Sequence, residues 1–224
     1  MDRIINIAID GPSGAGKSTL ARAVAKRMGI TYIDTGALYR AIGLYMIRAG
    51  VEPGDAESVI KALPGVSLTM SPGSEQKVFL SGEDVTPFIR TDEVSRAASS
   101  VSAIPEVRTF LLSLQRDIAK KQSVVMDGRD IGTVILPDAD VKIFLTASAE
   151  KRAERRWKEL SERGEKVTYE EILLSQKQRD ERDSTRKTAP AIPADDAVLF
   201  DNSDLDAEKT VDRAIEIIEA GLKK

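Results

Sequence analysis

Gly11-Pro12-Ser13-Gly14-Ala15-Gly16-Lys17-Ser18 is the most informative segment of the sequence, because it matches the pattern G-x-x-x-x-G-K-S of phosphate-binding P-loops. The apolar run at residues 4–9 before it predicts a buried strand. The residues after it predict a helix that begins near Lys17 and has one apolar face, made of Leu20, Ala21, Val24, Ala25 and Met28. A strand, a glycine-rich loop and a helix in this order predict a site for a nucleoside triphosphate.

The residue types of this loop suit an anion. Glycines at positions 11, 14 and 16 let backbone N–H groups approach a phosphate without interference from a Cβ atom, and the helix N-terminus adds partial positive charge. Lys17 is expected to contact the β- and γ-phosphates, and the Ser18 hydroxyl is expected to bind Mg²⁺. The alternative is an ordinary glycine-rich turn between a strand and a helix. Such a turn would not require a lysine and a serine at the positions that Lys17 and Ser18 occupy in the P-loop pattern.

The composition excludes several kinds of chemistry. The 224-residue chain contains neither cysteine nor histidine, so it has no disulfide, thiolate nucleophile, cysteine metal site or Ser-His-Asp triad. Its length fits one α/β domain that carries insertions. The composition is compatible with phosphoryl transfer, because this reaction depends on the positioning of the reactants and on cations around the phosphoryl group.

Charge and hydropathy limit the expected partners and location. The formal net charge of −3 gives no indication of a nucleic-acid or membrane surface. No apolar run approaches membrane-spanning length, and the first predicted strand begins too early to leave room for a signal peptide. We therefore expect a cytoplasmic protein without nucleic-acid or membrane partners.

Short apolar segments separated by helical patterns predict an α/β fold, with a doubly wound parallel sheet and helices on both of its faces. The predicted buried strands are residues 3–9, 124–126, 141–145 and 198–200, with residues 32–33 as a brief fifth strand. The last helix is expected to begin near Ser203, whose hydroxyl could cap it. The apolar face of that helix would contain Val211, Ala214, Ile215, Ile218 and Leu222.

Residues 66–85 break this pattern, because their apolar residues alternate as in half-exposed antiparallel strands. Val66, Leu68 and Met70 alternate, as do Val78 and Leu80, and turn-forming residues lie at 71–74 and 81–84. We predict a small antiparallel β meander inserted into the α/β frame.

Two polar clusters follow predicted strands. In Asp34-Thr35-Gly36-Ala37-Leu38-Tyr39-Arg40, Asp34 or Thr35 can cap a helix, and Arg40 either binds a second phosphate or is simply solvated. Asp127-Gly128-Arg129-Asp130 follows the strand at 124–126, at the edge of the sheet where α/β proteins bind ligands.

Two further clusters are rich in arginine. Arg179, Asp183 and Arg186 have the spacing of one helix face, on a helix that Pro190 would end. A second predicted helix begins near Ser148 and carries Arg152, Arg155 and Arg156 on one face. Each set indicates either a phosphate clamp or a salt-bridged, solvated surface, and the near balance of basic and acidic residues argues against a nucleic-acid patch.

Taken together, these residues resemble those of the bacterial cytidylate kinases, a family of nucleoside monophosphate kinases. The resemblance covers almost the whole chain and is carried by the segments IDGPSGAGKST, DTGALYR, GEDVT, IRTDEV, AASSVSAIPEVR, MDGRDIGTVILPDADVKIFL and RDERDSTR. Many kinases share the P-loop, whereas DTGALYR followed by DGRDIGTV is much more specific. The meander is also similar to the β insertion that distinguishes this family from the shorter adenylate kinases.

The resemblance implies a single P-loop kinase domain with three parts. The core would comprise residues 1–34, 111–148 and 188–224, the monophosphate-binding segment 35–110 with its β insertion at 66–85, and a mobile helical lid 149–168. ATP would bind the P-loop residues Gly11, Pro12, Ser13, Gly14, Ala15, Gly16, Lys17, Ser18 and Thr19. Mg²⁺ would bind Ser18, with Asp34 or Asp127 contributing through water.

The resemblance also implies a CMP site. Its residues would be Arg40, Arg129 and Arg186 for the phosphate, Thr35, Tyr39 and Arg90 in the same pocket, Arg179 and Asp183 for the ribose, and Ser99, Arg108 and Asp130 for the base. A carboxylate and a guanidinium match cytosine, which presents an amino donor and two acceptors. Uracil has a carbonyl in place of the amino group and would set oxygen lone pairs against Asp130.

The implied reaction converts ATP and CMP (or dCMP) to ADP and CDP (or dCDP). The CMP phosphate oxygen is already anionic, so its in-line attack on the γ-phosphorus needs no general base. Catalysis would come from Mg²⁺, Lys17, Arg129 and the lid residues Arg155 and Arg156, which would arrive when the lid closes. The expected protein is a monomer.

Two other functions fit parts of the sequence. The chain could phosphorylate another small acceptor, such as UMP or a non-nucleotide metabolite. It could instead be a regulatory switch of the GTPase kind, although the sequence has no Asn-Lys-x-Asp motif for guanine and its arginine clusters suit a second phosphorylated substrate better.

Overall fold

A computed structural model describes residues 3–71 and 76–223 of the chain. The strands are β1 (Asn6–Asp10), β2 (Thr31–Asp34), β3 (Leu68–Ser71), β4 (Lys77–Leu80), β5 (Glu83–Asp84), β6 (Val124–Asp127), β7 (Val141–Thr146) and β8 (Val198–Asp201). The helices are α1 (Lys17–Met28), α2 (Thr35–Arg48), α3 (Ala56–Ala62), α4 (Asp92–Val101), α5 (Pro105–Ala119), α6 (Ala149–Glu162), α7 (Tyr169–Thr185) and α8 (Ala207–Leu222). The described residues also contain a 3-10 turn at Leu63–Gly65 and a π-helical turn at Ile131–Ile135.

The main sheet is parallel and has the strand order β2-β6-β1-β7-β8. Because β1 is central and the chain adds strands on both sides of it, the sheet is doubly wound, as predicted. In its register, Ile9 of β1 lies beside Ile143 of β7, which lies beside Val198 of β8. A second, antiparallel sheet with the order β3-β4-β5 confirms the predicted meander.

The chain divides into two compact units. The first unit contains Arg3–Gly29 together with the residues from Val125 onward, and the second contains Ile30–Val124. The first unit therefore includes the P-loop, α6 and α7, whereas the second includes α2, the meander, α4 and α5.

The start of the P-loop admits only glycine. Gly11 has a φ of 145°, and a Cβ atom at this position would collide with the carbonyl oxygen of Leu145 on β7. The loop then leads directly into α1, whose buried residues include Leu20 and Val24, so the predicted helix start and apolar face are confirmed.

Two strands of the main sheet, β1 and β8, differ from the prediction. β1 begins at Asn6 rather than at residue 3, and Ile4 is exposed. β8 is an edge strand in which Phe200 is buried, but Val198 is 43% and Leu199 is 68% exposed. The prediction of a buried strand at 198–200 was wrong for these two residues, because an apolar run does not reveal whether its strand lies at the edge of a sheet.

The predicted cap of the last helix was also wrong. α8 begins at Ala207, and the Asp206 side chain accepts a hydrogen bond from the Lys209 N–H (2.8 Å). The Ser203 hydroxyl instead accepts a hydrogen bond from the Ser148 N–H (2.9 Å). Ser148 caps α6, which begins at Ala149, close to its predicted start.

Helix α7 is shorter than its sequence pattern indicates. It ends at Thr185, and Arg186 follows with an extended backbone (φ −62°, ψ 142°). Arg186 therefore does not share a helix face with Arg179 and Asp183, which corrects the predicted cluster. Pro190 comes five positions after Thr185 and does not itself set the end of the helix.

The meander contains one tight turn within the described residues. Ser81 and Gly82 have positive φ angles of 51° and 86°, as a two-residue hairpin loop of the I′ kind requires. The turn predicted at 81–84 was too long, because Glu83 and Asp84 form β5 and lie opposite Leu80 and Phe79. Of the turn predicted at 71–74, residues 72–74 lie outside the described part of the chain.

Helices α2 and α4 pack closely in the second unit because α2 has a glycine at the contact. A Cβ atom added to Gly43 would lie 2.9 Å from the Ala98 nitrogen and 3.0 Å from the Ala97 Cβ. Since the nearest atom belongs to the backbone, it cannot move aside by a change of rotamer.

We expect Gly43→Ala to lower the free energy of unfolding by about 1–3 kcal/mol through overpacking. The roughly 1 kcal/mol that alanine contributes through its helix propensity offsets part of this loss, so the net loss is at most about 2 kcal/mol. Urea unfolding measures the change, with Gly54→Ala as a control, since a Cβ at Gly54 meets only one side-chain atom, 3.7 Å away. An unchanged or raised stability of Gly43→Ala would contradict the close contact of α2 with α4.

Candidate active site

The backbone of the P-loop forms the centre of the candidate site. Gly14 and Gly16 have left-handed conformations with φ of 77° and 90°, which only glycine adopts without strain. The Lys17 ammonium donates a hydrogen bond to the Pro12 carbonyl oxygen (2.6 Å). The lysine therefore lies back across the loop, at the place where its charge can meet a bound phosphate.

Side chains from other segments hold two carbonyl groups of the loop. Arg152 on α6 donates to the Ser13 carbonyl oxygen (2.8 Å), and Asn202 donates to the Ala15 carbonyl oxygen (3.1 Å). In a trans peptide the C=O and the following N–H point in opposite directions. The N–H groups of Gly14 and Gly16 therefore point away from these two side chains and are free to face an anion inside the loop.

Arg152 has further partners besides the P-loop. It also donates to the Ala147 carbonyl oxygen (2.9 Å) and forms an ion pair with Asp180 of α7 (2.6 Å), and its side chain is only 5% exposed. Arg155 in turn donates to the backbone oxygen (2.8 Å) and the side-chain oxygen (3.3 Å) of Asn202. The conformation of the loop thus depends on the start of α6, on the residue that follows β8 and on α7.

Ser18 and Asp127 bring two oxygen ligands together beside the loop. Asp127 is the last residue of the buried strand β6, and its carboxylate accepts a hydrogen bond from the Ser18 hydroxyl (2.8 Å). Oxygen ligands of this kind suit Mg²⁺, which proteins commonly hold by one or two side chains together with phosphates and water. In residues 3–71 and 76–223 no group of three or more acidic residues forms a metal cage of its own.

Two buried charges near the loop have displaced pKa values. Burial and the nearby Arg129 guanidinium lower the pKa of Lys17 well below its usual value, although Asp127 and Asp10 act in the opposite direction. Burial raises the pKa of Asp10 to about 6, although its carboxylate accepts hydrogen bonds from the N–H groups of Ile131 (2.8 Å) and Gly132 (2.7 Å). A polyphosphate bound beside Lys17 would favour its charged form.

The predicted clusters at 127–130 and 179–186 lie together in the first unit. Arg129 forms an ion pair with Asp183 (3.1 Å), and an Arg186 nitrogen lies 3.9 Å from an Asp130 carboxylate oxygen. Arg186 also donates to the Ala189 carbonyl oxygen (2.6 Å). Two arginines and two carboxylates are therefore interleaved in one mostly buried group.

Three further predicted arginines of the first unit have different environments. Arg179 lies close enough to Lys17 for its charge to lower the lysine pKa. Arg155 contacts Asn202, as described above, and Arg156 forms an exposed ion pair with Glu159 (2.8 Å). The catalytic roles of Arg155 and Arg156 stay predictions.

In the second unit, Asp34 organises two of the predicted CMP-binding arginines. One carboxylate oxygen accepts from both Arg40 (2.8 Å) and Arg90 (3.0 Å), and the other caps α2 by accepting from the Ala37 N–H (3.0 Å). The cap confirms Asp34 rather than Thr35 in that role, and the ion pair shows that Arg40 is not simply solvated.

The remaining CMP-site residues of the second unit lie on α2, α4 and α5. The Arg108 guanidinium lies 5.4 Å from the centre of the Tyr39 ring, and it donates to the Ser102 carbonyl oxygen (3.1 Å). Thr35 is the buried first residue of α2, and Ser99 is half-buried on α4. A guanidinium placed over an aromatic ring in this way makes a cation–π contact.

Sequence reasoning missed several residues that shape the site. Arg152 was placed on a helix face but not at the loop, and Asp180, Asn202 and Gln76 were not considered at all. Asn202 directly follows β8, so the rule that ligands bind beyond the carboxyl ends of parallel strands could have indicated it. The other contacts join segments that are distant in the sequence and leave no local pattern.

The fold and the loop define a P-loop nucleotide-binding protein of the α/β class. The sequence model of the family described as cytidylate kinase matches residues 7–220. The chain belongs to the cytidylate kinase family.

Individual relatives support this placement. A protein of Caldicellulosiruptor saccharolyticus named cytidylate kinase is 48% identical over 95% of each chain. A cytidylate kinase of Carboxydothermus hydrogenoformans is 49% identical over 96% of this chain and 97% of its own length.

Solved structures with low identity show the same fold. An uncharacterised protein from Eubacterium ventriosum has a TM-score of 0.52 at 16% identity, covering 97% of this chain and 99% of that one. A sugar kinase from Janibacter has a TM-score of 0.50 at 16% identity, covering 99% and 98%. Across the part of the chain that the structure describes, no helix is both long and apolar enough to cross a membrane.

We expect Asn202→Ala to weaken ATP binding roughly 5- to 15-fold, because the Ala15 carbonyl loses its donor and the next N–H loses its fixed direction. Titration calorimetry with ATP measures the change. Ser203→Ala is the control, since this neighbour bonds to the Ser148 N–H and to no described P-loop residue. Equal ATP affinity in Asn202→Ala and the unaltered protein would show that Asn202 does not orient the loop.

Proposed function

We propose that the protein transfers the γ-phosphoryl group of ATP to CMP, giving ADP and CDP. The observation that carries this proposal is the match to the cytidylate kinase family over residues 7–220. The P-loop supports it independently, since the carbonyl groups of Ser13 and Ala15 are held so that the following N–H groups can bind an anion. We extend the proposal to dCMP as a second acceptor and to a monomeric, cytoplasmic protein.

The donor site comprises the P-loop and its supporting side chains. The N–H groups of the loop and the start of α1 bind the phosphates, and Lys17 neutralises the charge on the β- and γ-oxygens. The acceptor oxygen of CMP is already anionic, so these residues orient and stabilise but remove no proton.

Ser18 and Asp127 are the residues that would hold Mg²⁺. Their oxygens already lie 2.8 Å apart beside the loop, which fits a hard cation with few protein ligands. The ion would supply positive charge to the phosphate oxygens. Asp34 has a different environment, because its carboxylate accepts hydrogen bonds from two arginines and a helix N-terminus, so we assign the metal to Asp127 rather than Asp34.

Residues with predicted CMP-binding roles occur in both units. In the second unit, Arg40 and Arg90 bind the CMP phosphate, and Tyr39, Thr35, Ser99 and Arg108 line the pocket. In the first unit, Arg129 and Arg186 bind phosphate oxygens, Arg179 and Asp183 bind the ribose, and Asp130 accepts from the cytosine amino group. Arg155 and Arg156 belong to the proposed lid at 149–168 and would assist transfer after it closes.

A panel of acceptors tests the proposed reaction. With ATP and Mg²⁺, release of ADP should be rapid with CMP or dCMP, slower with UMP, and nearly absent without an acceptor. Lys17→Met should abolish transfer and keep the fold, because it removes the charge that faces the bound phosphates. Near-normal turnover of Lys17→Met, or hydrolysis that no acceptor accelerates, would contradict the proposal.

We expect Asp130→Ala to lose the preference for CMP over UMP, mainly by lowering kcat/KM for CMP. A site that pairs a buried acceptor with the cytosine amino group discriminates strongly, because the wrong base leaves polar groups unpaired. Asp130 also lies 3.9 Å from Arg186, and a purely local ion pair would predict an equal loss with both acceptors. An unchanged ratio of kcat/KM for CMP and UMP would therefore remove Asp130 from base recognition.

A further inference from the structure

At the outer edge of β2, backbone groups form hydrogen bonds with a side chain and not with another strand. β2 is the first strand in the order of the main sheet, so within the described sheet only one of its edges has a neighbour. The Thr31 N–H donates to the carbonyl oxygen of Ser123, which precedes β6 (3.1 Å). Since the backbone groups of a strand alternate between its edges, those of Asp34, three residues later, point to the outer edge.

Gln76 bonds to both of these backbone groups. Its Oε1 accepts from the Asp34 N–H (2.7 Å), and its Nε2 donates to the Asp34 carbonyl oxygen (3.1 Å). The side-chain amide thus presents the same donor and acceptor as a peptide group of a paired strand. Gln76 immediately precedes β4, so this contact joins the meander to the residue that caps α2.

The Asp34 side chain in turn forms hydrogen bonds with two arginines. One carboxylate oxygen accepts from Arg40 and Arg90, and the Asp34 side chain is 7% exposed, compared with 22% for Arg40 and 54% for Arg90. The Arg40 Nε is buried and donates to no described residue. A buried donor of this kind, beside a second guanidinium that solvent reaches, indicates a place for an anion with several oxygens.

We propose that Gln76 is a positioning residue for the acceptor phosphate. It fixes the backbone of Asp34, whose carboxylate then sets the positions of Arg40 and Arg90 before the anion binds. Through Gln76, the β meander would affect how tightly the acceptor phosphate binds without contacting the substrate itself. This inference rests on the proposed function, in which Arg40 and Arg90 bind the phosphate of CMP.

A purely structural role for Gln76 would give a different result. If the side chain only attaches the meander to the second unit, then breaking any contact of the meander with α2 should have a similar effect. Arg48 and Glu83 form such a contact, with two hydrogen bonds of 2.6 and 3.0 Å between the other end of α2 and β5. Arg48 lies about 20 Å from the start of α2, at 1.5 Å per residue.

Steady-state kinetics of Gln76→Ala, Gln76→Leu and the control Glu83→Gln separate these roles. We expect both Gln76 variants to raise KM for CMP roughly 5- to 30-fold, since two hydrogen bonds are lost. Their kcat and KM for ATP should change little, and Glu83→Gln should retain the original KM for CMP. Gln76→Leu keeps most of the side-chain volume, so agreement between the two variants excludes a cavity as the cause.

A second readout does not depend on activity. Phenylglyoxal modifies accessible guanidinium groups, and peptide mass spectrometry can follow Arg40 and Arg90 separately. Both should react several-fold faster in Gln76→Ala than in the unaltered protein or in Glu83→Gln, and inorganic phosphate should protect them less.

The outcomes distinguish the inference from the function on which it rests. Failure of the unaltered protein to phosphorylate CMP would overturn the proposed function, whereas the phenylglyoxal rates would still test the effect of Gln76 on the arginines. Unchanged KM and modification rates in Gln76→Ala would overturn the inference. An equal rise of KM for CMP in Glu83→Gln, or an equal rise of KM for ATP in Gln76→Ala, would do the same.

Discussion

The direction of the P-loop peptide groups is the constraint on which the proposed activity depends. A loop binds phosphate only if successive N–H groups face inward, and each trans peptide then sends its carbonyl oxygen outward. Those oxygens lie next to protein rather than water, so they need donors of their own. Arg152 and Asn202 supply the donors, and both are buried. The side chains around the loop therefore act as hydrogen-bond donors as well as charges.

Positive charge in this region is energetically unfavourable, because it is buried and close to other positive charges. Lys17 is buried near Arg129 and Arg179, and these neighbours and the burial together lower its pKa. Asp127 and Asp10 offset this effect only in part. A bound polyphosphate would favour the charged form of Lys17 and so counter the effect of burial and of the neighbouring arginines.

Carboxylates hold the proposed substrate-binding arginines in both units. Asp183 pairs with Arg129 in the first unit, and Asp34 pairs with Arg40 and Arg90 in the second. Long arginine side chains lose considerable conformational entropy when they are fixed on a ligand. An ion pair that fixes them beforehand reduces this loss at the time of binding, which is how preorganised sites gain affinity.

The sequence by itself determined the P-loop, the doubly wound sheet, the β meander and the start of α1. These features follow from local patterns: glycines at fixed spacing, buried apolar runs, and alternation with a period of two. The predictions of the first residues of β1, the cap of α8 and the end of α7 were wrong. Local patterns define the ends of strands and helices poorly.

Only the tertiary structure decided which side chains hold the candidate site. Asn202 contacts Ala15 across 187 residues, and Gln76 contacts Asp34 across 42. These pairs depend on the order of strands in the sheet and on which strand lies at its edge, and no local periodicity encodes either. The exposed residues of β8 have the same origin, because a strand that looks buried by its sequence becomes half-exposed when no further strand pairs with it.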